Sequence, residues 1–167
     1  STTDAGGVTT EFIHDRLGHV IAMIQEDPDG SGPLASPISY SLFDDRGNQV
    51  AIVDPLGNTE WHVYSAEDRH VQMISSSGAV FTTVYYADGQ VKDQIDPLNR
   101  LTHYDYDDAG RLWKTWLPDP NPNDSVPNQP IIQQYDLAGN VRFITDQLQR
   151  VTEIQYDSRN RRKLQID

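Results

Sequence analysis

Short runs rich in Val, Ile, Thr, Tyr and Phe alternate with polar bends along nearly the whole chain. The pattern is fullest from Tyr135 to Arg161, which reads YDLAGN, VRFIT, DQLQR, VTEIQ and YDSRNR. Runs of five or six such residues have the length and composition of single β-strands. Each bend opens on an aspartate, at Asp136, Asp146 and Asp157, followed three residues later by Gly139, Gln149 or Asn160. An Asp carboxylate bonds the backbone just ahead of it, and Gly or Asn tolerates positive φ, so the pair marks a tight turn. The pattern predicts strand, turn, strand, turn, closing after 21 residues.

The aromatic before each first turn is a marker for the repeat. Phe43, Tyr64, Tyr85 and Tyr106 follow one another at intervals of 21, and Tyr135 and Tyr156 repeat the step. His14 holds the position in the earliest copy, ahead of the turn at Asp15 to Gly18. Complete turns are read at Asp44 to Gly47, Asp54 to Gly57, Asp107 to Gly110 and Asp136 to Gly139, while Asp96, Asp146 and Asp157 open turns that end on another residue. Ser65 and Ser75 replace Asp, and Tyr86 takes the slot in a copy that keeps Gly89. The intervals from His14 to Phe43 and from Tyr106 to Tyr135 are 29, eight longer than the rest. The extra residues fall in 27–37 and 118–130, both dense in Pro, Gly, Ser and Asn, and read as enlarged hairpin loops. Internal repetition of this period means a strip-like or stacked architecture. The expected fold class is all-β: tandem 21-residue β-hairpin repeats in one antiparallel strip. Residues 1–167 form a single array, and both ends fall in mid-pattern, as in a piece of a longer chain. Counting turns gives about 14 strands and a strip of ~65 Å at ~4.8 Å per strand.

Alternation within the second strand of each repeat predicts its faces. Residues five after the first-turn Asp (Val20, Gln49, His70, Val91, Leu112, Val141) are placed on one dry side with those nine after it (Ile24, Val53, Ile74, Ile95, Trp116, Thr145).

Composition changes the picture from a globule to a thin sheet. Hydrophobic residues are 37%, yet there are 8 Tyr, 3 Trp and 4 Phe, which leaves little for a thick two-layer core. A net charge of −12 disfavours nucleic acid and anionic membrane as partners. The only basic cluster, Arg159, Arg161, Arg162 and Lys163, reads as a solvated strand edge. No apolar run is long enough to span a bilayer. With no Cys there are no disulfides or thiolate metal sites.

Candidate chemistry is sparse. His14, His19, His62, His70 and His103 show no metal-ligand spacing and are placed on different hairpins, as satisfied sheet residues. No phosphate-binding loop, dinucleotide fingerprint or nucleophile elbow occurs, and turn chemistry accounts for Asp44 and Asp107 in their acidic pairs. The expectation is a non-enzyme with no cofactor and no metal. Asn123-Asp124-Ser125 is a glycosylation sequon. Trp61, Trp113 and Trp116, with Tyr rings and many Asp and Asn, supply the flat apolar faces and hydrogen-bonding groups of a sugar-binding surface.

The repeat resembles the YD repeats of the Rhs family, which also occur in teneurins, in cocoon subunits of insecticidal toxin complexes and in wall-associated bacterial proteins. The match is best at Tyr106 to Leu112 and at Tyr135 to Tyr156, and covers the chain from about Thr9 onward. It implies β-hairpins spiralling into a curved strip that closes as a hollow shell around a C-terminal toxic domain, with the marker tyrosines as neighbouring rings. It implies an extracellular or cell-surface structural protein. Its partners would be neighbouring YD repeats, further copies of the chain joined edge to edge into a shell or filament, an enclosed toxin domain, or glycans, to which YD repeats have been linked. Asp54-Pro55-Leu56-Gly57-Asn58 is the nearest match to the D-P-x-G-L of the family's self-cleaving core, with Asn58 in place of Leu and no second copy at matching spacing.

Overall fold

The computed structural model describes every residue except 7, 31, 33, 122–127 and 167, so the sequon lies outside the described residues, as does the middle of the second enlarged loop. The fold is all-β: the described residues form fifteen strands and no helix, and strand order in the sheet is chain order. The residue contacts divide it into two compact units, Ser1–Thr82 and Thr83–Asp167.

The first unit contains β1 (Thr2–Thr3), β2 (Thr9–His14), β3 (Val20–Gln25), β4 (Ile38–Phe43), β5 (Gln49–Val53), β6 (Thr59–Tyr64) and β7 (His70–Ile74). The division falls within β8 (Val80–Tyr85). The second unit contains β9 (Val91–Ile95), β10 (Leu101–Tyr106), β11 (Leu112–Trp116), β12 (Ile131–Tyr135), β13 (Val141–Thr145), β14 (Val151–Tyr156) and β15 (Arg162–Ile166). The two-residue β1 takes the count one above the sequence expectation. Pairing is antiparallel between chain neighbours, because tight turns can join strands no other way.

Six hairpins closed by first turns carry the same irregularity. Leu42 pairs with Ala51 but Phe43 with Gln49, so Val50 is an extra residue opposite one aromatic. The same β-bulge adds Ile21, Val71, Trp113, Arg142 and Lys163 in the other hairpins. This corrects the expected faces. Phe43 and Tyr40 are three apart on an unbroken strand and point to opposite sides, so their partners Gln49 and Val53 do too. The residues five and nine after the Asp therefore lie on opposite faces. Alternation fails there because a bulge inserts one residue, and a one-residue shift exchanges the faces of everything beyond it.

Neither face is dry. The buried residues among those described are Ala22, Ala51, Pro130 and Ile154 alone. In the first unit, the face opposite the marker aromatics carries a half-exposed apolar row of Ile13, Tyr40, Leu42, Trp61, Val63 and Val80 around Ala22 and Ala51. In the second unit the corresponding face carries Asp93, His103, Asp105 and Lys114.

Turn backbones test residue choice directly. Gly139 sits at φ 85° with open space where an added Cβ would stand, so Gly139→Ala meets backbone strain without a clash. Gln149 occupies the equivalent place at φ 63°. Left-handed backbone costs an L-residue roughly 1 kcal/mol that glycine avoids. We expect Gln149→Gly to stabilise the protein by about 0.5–1 kcal/mol and Gly139→Ala to destabilise it by about as much, read from urea denaturation midpoints.

Candidate functional site

The repeated element is a bonded corner made of a turn, a bulge and a tyrosine. At Asp15, Asp44, Asp54, Asp96, Asp107, Asp136, Asp146 and Asp157, one carboxylate oxygen accepts the N–H groups two and four residues ahead, at 2.8–3.0 Å. The other oxygen accepts the side chain four residues on, from His19, Asn48, Asn58, Arg100, Arg111, Asn140, Arg150 or Arg161, at 2.6–3.1 Å. The N–H three residues on, Gly18, Gly47, Gly57, Gly110 or Gly139 in five of them, donates to the Asp carbonyl. The fourth-position donor was missed at the sequence level, although its signal is plain: a side-chain N–H donor follows every one of these aspartates by four residues.

These bonds hold all eight carboxyls below the usual 3.8. The side chain four residues on is the largest cause at six of them. At Asp146 and Asp157 the backbone N–H of that same residue leads. Each bond favours the charged form.

The marker tyrosines act one repeat back. A bulge takes the first of its two residues out of the regular ladder, and an unpaired carbonyl is costly. The Tyr64 hydroxyl donates to the carbonyl of Gln49, the residue opposite Phe43 (3.2 Å). Tyr135 donates to Leu112, opposite Tyr106 (2.7 Å), and Tyr156 to Val141, opposite Tyr135 (3.0 Å). Tyr106 makes the equivalent bond to Val91 at 3.0 Å. Burial raises the phenol pKa of Tyr106 and Tyr135, so both remain donors. Phe43 has no hydroxyl, and its ring stacks on His19 with centroids 4.5 Å apart. Tyr85 closes β8 at the same position of its repeat.

The three tryptophans do not form one platform. Trp61 stands in the first unit, opposite Ala51 on the face away from the marker rings. Trp116 lies opposite His103 and donates its Nε1–H to Asp105 at 2.8 Å. Trp113, the bulge residue of β11, lines a shallow groove of about 390 Å³ with Tyr106, Arg111, Gln133 and Tyr135. The Arg111 guanidinium lies 4.3 Å from the Tyr135 ring centre, and the Lys114 ammonium 3.8 Å from that of Trp113. Adjoining grooves share Arg111 and Tyr135, then Arg142 and Asp136, so the track continues along the second unit.

The histidines correct another expectation. His62 and His70 belong to one hairpin, and its bulged register sets their rings on the same face with His62 Nδ1 2.9 Å from His70 Nε2. Eight residues of sequence hide that contact, because only cross-strand register reveals it. His103 lies between two carboxylates, 2.6 Å from Asp93 Oδ1 and 3.2 Å from Asp105 Oδ1. Among the described residues, no three His, Asp or Glu side chains are placed to hold a metal. Among the described residues, no helix is long and apolar enough to cross a membrane.

The RHS Repeat family matches residues 85–115 of this chain. The double-stranded DNA deaminase toxin A of Burkholderia cenocepacia (strain H111) is 29% identical over 110 residues, which is 66% of this chain and 7% of that protein. The crystal structure of TcdB2-TccC3-Cdc42 shares the fold with a TM-score of 0.72 at 18% identity, over 92% of this chain and 9% of that one. A Photorhabdus luminescens Tc holotoxin pore gives 0.68 at 20% identity, with the same two coverages. The chain spans less than a tenth of the length of these relatives. With the 21-residue period, the turn aspartates and the tyrosines bonded one repeat back, these matches make the chain similar to the YD repeats of the Rhs family, with residues 85–115 matching its repeat model.

Proposed function

We propose that this chain is a non-enzymatic wall segment of a larger extracellular shell that encloses a toxic domain. The observation that carries the reading is the direction of the repeat's polar chemistry. The turn carboxylates bond within their own hairpins, and the marker hydroxyls bond the preceding repeat, so the defining residues work to hold the sheet rather than to meet a substrate. The toxin named among the relatives and the Tc structures support this setting. The apolar row of the first unit suits a surface covered in a larger assembly. Size-exclusion chromatography with light scattering, followed by electron microscopy, tests this on the purified chain. We expect concentration-dependent assemblies with strip or ring outlines. A chain that stays monomeric and compact at every concentration overturns the reading.

A second reading, glycan binding, is favoured by the groove track alone, where flat Tyr and Trp faces stand beside carboxamide and guanidinium groups. On a glycan array, Trp113→Ala is expected to abolish the signal, and Trp61→Ala and Trp116→Ala to leave it. An array without signal, or one indifferent to Trp113, removes this reading.

A further inference from the structure

We infer that the protein carries two histidine devices of opposite sign: acid loosens the β6–β7 hairpin of the first unit, while alkali loosens the β9–β10–β11 segment of the second. The proposal concerns the response of the sheet to pH and stands whether or not the chain forms a shell.

In the first unit the geometry permits one proton too few for acid. His62 Nδ1 and His70 Nε2 are 2.9 Å apart and must share a single proton between them. His62 Nε2 is buried, 3.2 Å from Glu60 Oε1 and off the line of a hydrogen bond. A proton on that nitrogen suits the carboxylate, and His62 Nδ1 then accepts from His70. A first added proton is accommodated on His70 Nδ1, with the shared proton kept between the rings. A second sets two N–H groups and two positive charges face to face. The other side chains on this face are Tyr64, whose ring meets His70 edge-on at 5.3 Å, Gln49 and Ile52 of β5, Met73 of β7 and Phe81 of β8. Glu60 is the carboxylate that acts on His70 and lies against His62. Burial and the neighbouring His62 hold His70 below the usual 6.5. A depressed imidazole contributes stability above that value, lost as pH falls.

In the second unit the requirement is reversed. His103 lies directly opposite Asp93 on β9 and Trp116 on β11, with Asp105 two residues along its own strand. Only the imidazolium donates to both carboxylates at once, from Nδ1 at 2.6 Å and Nε2 at 3.2 Å. Asp105 also accepts the Trp116 indole N–H and faces Lys114 across β11. Lys92 reaches to 3.9 Å from Asp93, and burial, followed by the charges of Asp105 and Asp93, raises the Tyr86 phenol. Removing the proton leaves two carboxylates, one without its donor, on one face of three strands. The Asp93 hydrogen bond is the largest cause holding His103 above 6.5. A raised imidazole contributes stability below that value, lost as pH climbs through its folded pKa.

Imidazole NMR titration of the unmodified chain reads both signs without depending on any variant. We expect His103 to titrate above 6.5 and His70 below it. Segment-resolved native-state hydrogen exchange, corrected for intrinsic rates, then reads the consequence. Protection of β6–β7 is expected to fall towards about pH 5, and that of β9–β11 towards about pH 8, by roughly tenfold for each unit of pKa displacement. His70→Gln should erase the first dependence alone, and His103→Gln the second alone. Titrations displaced in the same direction overturn the proposal. So does a β9–β11 dependence that survives in His103→Gln.

Discussion

Acidification below pH 3.8 is expected to melt the hairpin turns together, as a steep loss of β-sheet signal in circular dichroism. Eight turn carboxyls are held below that value by bonds to their charged form. The unfolded chain therefore binds more protons than the folded one as pH falls through this range, and stability falls with it. Each carboxylate also bonds a side chain, and five of the eight partners are an Arg or a His, so protonation costs the pair its charge attraction as well. Steepness follows from number: eight carboxyls are displaced in the same direction. The turns led by Ser75 and Tyr86 contain no such carboxylate at their head and serve as internal controls. Exchange at those turns should lag behind exchange at Asp107 and Asp136 as acid is added. Asp136→Asn should flatten the pH dependence of its own hairpin and leave the others unchanged. A sheet that persists unaltered well below pH 3 would show that the turns do not depend on ionised aspartate.

Tyr135→Ala is expected to cost about 2–4 kcal/mol, a large share of the stability of a thin sheet. The ring is half-buried beneath the Arg111 guanidinium, and the hydroxyl donates to the bulge carbonyl of Leu112 at 2.7 Å. Tyr135→Phe separates these parts, since it keeps the ring and leaves the carbonyl to water. The expected loss is about 1 kcal/mol, read from urea denaturation. A corresponding change at Tyr156, whose hydroxyl bonds Val141 at 3.0 Å, should behave alike. Full stability in Tyr135→Phe would mean the bulge carbonyl needs no partner from the next repeat.

The strands, their turns and the repeat were legible in the amino-acid order because their causes are local. An aspartate such as Asp44 reaches only as far as Asn48, and a five-residue run such as Val141–Thr145 has one extended length. The fourth-position donors, from His19 to Arg161, obey the same short range and were readable in principle. Tertiary structure alone decided what each residue faces. The bulges put Gln49 and Val53 on opposite sides and brought His62 onto His70, while the unbroken β9–β10 register set His103 opposite Asp93, with Asp105 beside it. Those contacts depend on the register between strands. A single extra residue resets that register, and hydrophobic alternation within one strand carries no record of it.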